Sequence, residues 1–395
     1  MTASRDLQPA TILSASGRSN DPHVVNPPVT RASTHLYADC AALRAGLRGN
    51  ADGAYFYGRR GGPTQWALAE ALTALEPGAA GTVLYPSGVA AIMGAVLATV
   101  APGDVLLVTD NAYEPSRLMA RGILERFGVT VRFFDPLDVE GFGAHFCERT
   151  RAVLLESPGS LTMEVCDVPA LAERARAAGA AVLIDNTWAS SLGFQALTMG
   201  CDIAIQALTK HVGGHSDLMM GACTAGPDWY PRLREMAQQL GQVVSPDDAA
   251  LALRGLRTMA LRLDRATASA LAVARWLQTR AEVAQVLFPV LADAPGHAMW
   301  RRDFTGGCGL FSVLLAKEYD DDARCRMIDA LELFGIGYSW GGFESLALPV
   351  DPGRNRTAKP WRTQQLAVRL SIGLEHPDDL IADLAQALGA METAS

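Results

Sequence analysis

The segment QALTKHVGGHSDLMMGA, residues 206–222, holds Lys210, one of three lysines in a chain with 31 arginines; Lys317 and Lys359 are the others. A guanidinium stays protonated at any usable pH, whereas an amine can lose its proton and act as a nucleophile. Lys210, set among small, apolar and glycine neighbours, is therefore a candidate for covalent chemistry. A solvated surface lysine would satisfy the same facts. Twenty-five residues earlier, AAVLIDNTW puts Asp185 directly after an apolar run. A carboxylate there needs a cationic or hydrogen-bonding partner, although a helix cap would explain it equally well. LYPSGVAA sets Ser87, Gly88 and Val89 at a strand-to-helix turn, where free amides and the helix dipole favour a phosphate. A plain helix start is the alternative, and no G-x-G-x-x-G follows a strand. DNAYEPSR places Tyr113 after another apolar run, with a core or surface tyrosine as the other reading.

These residues are useful together only if one scaffold brings them together. From Thr82 onward, short apolar runs alternate with helical patterns. GTVLYP, DVLLVTD, VTVRFFD, RAVLLES, AAVLIDN and CDIAIQA read as strands. A helix begins near Ser87, and others span Glu114–Phe127 and Pro169–Ala178. Apolar strands alternating with helices imply a mostly parallel sheet covered on both faces, with ligands at the carboxyl ends of its strands. After Pro231 the pattern is helical to about Arg280, with Arg254, Arg257, Arg262 and Arg265 along one long element. Strands at GLFSVLLA and AVRLSIG and helices at Asp321–Phe334 and Pro377–Leu388 imply a smaller α+β unit, with Pro349–Trp361 as a polar loop. The first 22 or so residues read as a loose arm.

Bulk properties exclude several function classes. A formal charge of −8 argues against nucleic acid and against an anionic membrane surface. No apolar segment reaches the roughly 20 residues of a membrane span, and Met1–Pro22 lacks a secretory pattern, so a cytoplasmic location is expected. Seven scattered cysteines, none in C-x-x-C spacing, fit reduced thiols. His211 and His215 bracket Gly213 and Gly214, which disfavours a metal-binding helix, and no metal is expected. No G-x-S-x-G elbow supports serine hydrolysis. An amine, a strand-end carboxylate, a phosphate turn and an aromatic together match what pyridoxal 5'-phosphate requires.

VLIDNTW and QALTKHVGGHSDLMMG resemble the cofactor signature of the Cys/Met-metabolism pyridoxal-phosphate enzymes. Further matches run through YGRRGGPT, LESPGSLTMEVCDVPA, YSWGGFESL and RLSIGLEHPDDLIADL. The resemblance covers nearly the whole chain and implies an α/β, aspartate-aminotransferase-like fold of type I. It implies an N-terminal arm over residues 1–58, a large cofactor domain over 59–254 and a smaller C-terminal domain over 255–395. Lys210 matches the Schiff-base lysine, Asp185 the partner of the pyridine nitrogen and Tyr113 the ring-stacking tyrosine. Gly88, Val89 and Thr209 fall at phosphate positions. Tyr57 and Arg59 match a pair reaching the phosphate from a neighbouring subunit, which implies a homo-oligomer, in this family usually a tetramer. Arg369 and Ser339 match the clamp on the substrate carboxylate. Val89, where the family often has methionine, and Ala207, where many relatives have serine, depart from the pattern.

The expected activity is cleavage of the Cβ–S bond of L-cystathionine, in methionine biosynthesis. Tyr338 and Trp340 are expected to form aromatic walls that favour elimination at Cβ, where relatives with γ chemistry carry glutamate and leucine. The alternatives are γ chemistry, a broader cysteine-conjugate lyase, or a non-catalytic regulatory protein on the same fold.

Overall fold

Continuous apolar runs bury both faces of a strand, and in this chain they assemble one large sheet. The computed structural model describes residues 7–19, 21–48, 53–354 and 356–392. The large sheet comprises β1 (Gly81–Tyr85), β2 (Val105–Thr109), β3 (Thr130–Phe134), β4 (Thr150–Glu156), β5 (Ala181–Asp185), β6 (Ile203–Ala207) and β7 (Gly221–Ala225). Its order is β1-β7-β6-β5-β4-β2-β3. All pairs from β6 across to β3 are parallel, and β7 runs antiparallel to both β1 and β6. β2 is buried along its whole length, as is β5 up to Asp185. A second sheet, ordered β10-β11-β12-β9-β8, comprises β8 (Val283–Leu287), β9 (Leu310–Leu315), β10 (Gly335–Ile336), β11 (Leu346–Val350) and β12 (Ala367–Ser371). The fold is α/β of type I, with a smaller sheet unit after the large one.

Side-chain caps start the helices behind the strands. Ser87 accepts from the Ala90 amide to open helix Gly88–Leu97, and Asp167 accepts from Ala170 to open helix Val168–Ala177. Each satisfies one amide that the first helical turn leaves free.

Several expectations are corrected. The first residues are not uniformly loose, because Pro9–Ala15 is helical and Leu13 is 2% exposed. Arg257 holds that segment by donating to the carbonyls of Leu13, Ser16 and Gly17. The arginine-bearing element is two helices, Pro246–Leu256 and Met259–Leu277. Helix Glu114–Met119 passes into a π turn at Ala120–Leu124, and the helix expected to reach Phe334 stops at Asp329. Pro349 lies in β11, not in a loop. It is tolerated because β10 pairs only with Leu346 and Ala347, so the strand is an edge at Pro349. β7 was not anticipated, since GACTA carries no apolar run.

A buried ionic knot ties the Pro/Arg-rich loop after β11 to the large sheet. Asp110, just past β2, is 1% exposed and takes donors from both sides. Arg117 Nη1 donates at 2.9 Å and Arg356 Nε at 3.3 Å. The amides of Thr357, Ala358 and Lys359 donate at 2.8–3.0 Å. Arg356 also donates to Glu164 at 2.7 Å. Burial pushes the Asp110 pKa up, but the amides of Lys359 and Thr357 and the Arg117 guanidinium outweigh it and hold the carboxyl below its usual range. A depressed native pKa stabilises the fold above about pH 4 and loses that contribution as pH falls through the native value. Asp110→Asn leaves the buried Arg117 guanidinium without its carboxylate and Arg356 with Glu164 alone, and is expected to cost about 3–5 kcal/mol. Urea denaturation at pH 7 measures the loss, and the gap between wild type and variant should narrow on acidification.

Candidate active site

Five strand ends on the carboxyl edge of the large sheet converge on one cavity of about 300 Å³. β1 leads into Ser87, Gly88 and Val89, and β2 leads into Tyr113. β4 ends at Glu156, β5 at Asp185, and β6 runs into Ala207 and Lys210. All of these residues line the cavity, with Thr187, Trp188, Thr209, Met219, Trp340 and Arg369.

Lys210 is held by its loop's own turns. Its amide donates to Ala207 and its carbonyl accepts from Gly214, a glycine at φ +66°. Arg262 stitches the following residues down by donating to the carbonyls of His211, Val212 and Gly255. Gly255 is required there, because an added Cβ would lie 2.2 Å from the Val212 oxygen. The Lys210 Nζ donates to the Ser339 hydroxyl at 2.8 Å and lies 5.3 Å from the centre of the Trp340 ring. Among the described residues no carboxylate pairs directly with this amine. Burial, reinforced by the Arg369 charge and opposed by Asp185, lowers its pKa to about 8.

Asp185 is held by its neighbour two residues on. Its Oδ1 accepts from both the Thr187 amide and the Thr187 hydroxyl, and that hydroxyl accepts from the Ala207 amide. Desolvation raises the Asp185 pKa, against the Thr187 bonds and the Lys210 charge. Gly88 packs against β6 so closely that a Cβ on it would sit 2.7 Å from the Ala207 Cβ. The first turn of helix Gly88–Leu97 is thereby seated beside Lys210. Thr209 faces the same space, with its hydroxyl engaged by the Met220 amide and carbonyl.

Ser339 links the two sheets' contributions. It adopts φ +80°, a left-handed conformation uncommon for a residue with a side chain. In that conformation its hydroxyl meets Lys210 while its carbonyl accepts from Arg369 Nη2 at 2.9 Å. Arg369, on β12, has no carboxylate partner among the described residues, so its guanidinium remains available to an anion.

Sequence-expected residues separate into two groups. Lys210, Asp185, Tyr113, Gly88, Val89, Thr209, Trp340 and Arg369 share the cavity, with Ser339 against it. Tyr338 does not line it; the residue is 91% exposed, on the outer side of the left-handed Ser339. Tyr57 and Arg59 do not reach it within one chain, and Arg59 donates to the Gln238 carbonyl. His211 is buried, bonded to the Trp188 carbonyl and edge-on to Trp340, and burial lowers its pKa to about 4. Sequence reading missed Thr187 and Glu156. Glu156 was detectable, since AVLLE repeats the apolar-run-then-carboxylate pattern of AVLID.

The cavity joins a desolvated amine, a carboxylate braced by two donors, a helix N-terminus and a free guanidinium. Such a set can form an imine, move a proton at the neighbouring carbon and hold an anionic end of a substrate.

Comparison with known proteins agrees with this chemistry. The family described as Cys/Met metabolism PLP-dependent enzyme matches residues 10–389. A cystathionine beta-lyase of Escherichia coli (strain K12) is 43% identical over 365 residues, covering 91% of this chain and 92% of the relative. A cystathionine beta-lyase of Salmonella typhimurium is 43% identical over 387 residues, covering 96% and 98%. The crystal structure of a cystathionine gamma synthase from Xanthomonas oryzae superposes with a TM-score of 0.89 at 31% identity, covering 98% and 99%.

The ligand-free protein should show one amine that titrates near pH 8. The pH dependence of Lys210 labelling by an amine-reactive reagent, read by peptide mapping, checks this. Ser339→Ala removes an acceptor that favours the charged ammonium, so the labelling midpoint should move to lower pH.

Proposed function

The chain belongs to the Cys/Met metabolism PLP-dependent enzyme family, and we propose that it is a carbon–sulfur β-lyase cleaving L-cystathionine to homocysteine, pyruvate and ammonia. Its cofactor is pyridoxal 5'-phosphate. The observation that carries the reading is the desolvated Lys210 amine sharing one cavity with Asp185 and Arg369.

The cavity fits that cofactor. The amides of Gly88 and Val89 open a ten-residue helix and suit a phosphate. Asp185 suits a protonated pyridine nitrogen, Tyr113 would stack on the ring, and Lys210 would supply the amine for its aldehyde. Bound, the cofactor supplies an electron sink for the charge left when Cα loses a proton.

The chain's own residues do the rest. Arg369 takes the substrate α-carboxylate in a planar, two-point contact, steadied by the Ser339 carbonyl. The Lys210 Nζ, neutral once freed, removes the proton from Cα. The Cβ–S bond breaks, the ammonium returns a proton to sulfur, and homocysteine leaves. Water converts the three-carbon remainder to pyruvate and ammonia. The Trp340 ring, close to Lys210, walls the space beyond Cβ and favours this outcome over a second proton removal at Cβ. Tyr57 and Arg59 extend to the phosphate of a neighbouring copy in a homo-oligomer, a homotetramer built of dimers with shared sites. Their distance from the Lys210 cavity within one chain supports that arrangement. A cytoplasmic location is part of this reading; among the described residues no helix is long and apolar enough to cross a membrane.

Incubation with L-cystathionine is expected to give homocysteine and pyruvate. Cysteine with 2-oxobutyrate as the main products would overturn the β assignment. Lys210→Arg should abolish turnover, and borohydride reduction of the wild type should leave the pyridoxyl label on Lys210. Arg369→Lys should lower kcat/KM by about 10- to 100-fold, the loss of a charge-assisted bond, with cofactor content kept. Arg59→Ala should weaken cofactor retention by about 1.5–3 kcal/mol. Mixing Arg59→Ala with Lys210→Ala subunits should restore some activity, and none in verified hybrids would count against shared sites.

A further inference from the structure

Glu156 is the one carboxylate of the cavity that the reaction leaves without a task. It ends β4 directly beside Asp185, its in-register partner on β5. Its Oε2 accepts from the Tyr113 amide at 2.6 Å, across 43 residues of sequence. Tyr113 also begins helix Glu114–Met119 without a side-chain cap of its own. This bond ties the backbone at Tyr113 to the end of β4.

We propose that Glu156 is a positioning residue, which through its bond to the Tyr113 amide sets where the Tyr113 ring stands over the cavity and so how tightly the chain holds its cofactor. The inference rests on the reading of Tyr113 as the ring-stacking residue.

Two neighbouring strand-end carboxylates cannot both be charged at low cost. Asp185 has the claim to ionisation, with two donors from Thr187 and the Lys210 charge nearby. Glu156 has no cation among its bonds. Burial and then Asp185 push its pKa well up, against the amides of Tyr113 and Ser160. Both burial and Asp185 favour the neutral form, in which the carboxyl still accepts through its carbonyl oxygen. A glutamine carbonyl can do the same, and an aliphatic side chain cannot.

The test is titration of pyridoxal phosphate into the cofactor-free full-length protein, followed by quenching of protein fluorescence. Glu156→Leu should weaken binding about 10-fold, the value of one bond to a buried acceptor, and should change the visible circular dichroism of the bound cofactor. Glu156→Gln should rescue both. In the wild type, the Tyr113 amide should be protected from hydrogen exchange, a readout that needs no variant. Equal losses in both variants, no loss in either, or unprotected exchange at Tyr113 would overturn the proposal. Tyr113→Leu separates the two levels. If it weakens the cofactor while Glu156→Leu does not, Glu156 alone is misread; if it has no effect, the stacking role of Tyr113 fails and the proposal falls with it.

Discussion

An amine held out of water with no carboxylate in contact is the condition on which the site depends. A lysine in bulk water is almost wholly charged at neutral pH. Taking the Lys210 Nζ into the cavity penalises the charged form, and Arg369 adds to the effect while Asp185 opposes it. A direct ion pair with Asp185 would have undone this and consumed the carboxylate as well. The sheet prevents it by spending Asp185 on Thr187, whose hydroxyl is itself fixed by the Ala207 amide. One threonine thus braces the carboxylate and ties it to the strand that carries the lysine.

Holding such an amine requires rigid backbone, because the desolvation is lost if the loop relaxes toward water. The loop after β6 is pinned by Arg262 on its His211 and Val212 carbonyls and by the close approach of Gly255. From the other side, the Ser339 segment is tied in by Gly341 donating to Ser371 and by Ser216 donating to Glu344. The left-handed turn at Ser339 is the point where the second sheet meets the first. Its hydroxyl faces the amine and its carbonyl faces Arg369, so the position of the Arg369 guanidinium is referred directly to Lys210.

The Asp110 knot extends the same logic to the remaining wall. Asp110 lies three residues before Tyr113, and beside Arg117 its donors come from the loop following β11. The loop bearing Tyr113 is thereby fixed at Asp110 by the C-terminal part of the chain and at its own amide by Glu156. Buried charges of this kind contribute little net stability when intact. Their effect is on geometry, since each admits few arrangements that leave no charge unpaired.

Local signals determined much of this protein. Runs such as DVLLVTD and AAVLIDN specify buried parallel strands by composition alone, and polar residues placed just beyond them must lie on the carboxyl edge. That made Lys210, Asp185, Tyr113 and the Ser87–Val89 turn legible before any coordinates, and the family resemblance added Arg369 and Ser339. What the tertiary structure decided are features with no local signature. GACTA becomes β7 because its small residues fit between β1 and β6, with Gly221 against the Ser87 carbonyl. Pro9–Ala15 folds because Arg257 reaches it from more than 240 residues away. Tyr338 and Trp340 look equivalent in sequence, and only the sign of φ at Ser339 turns one outward and the other toward the amine. The strand-end place of Glu156 was legible, but its bond to Tyr113 and that of Thr187 to Ala207 arise only when neighbouring strands align, because a hydrogen bond depends on distance in space, which spacing along the chain does not encode.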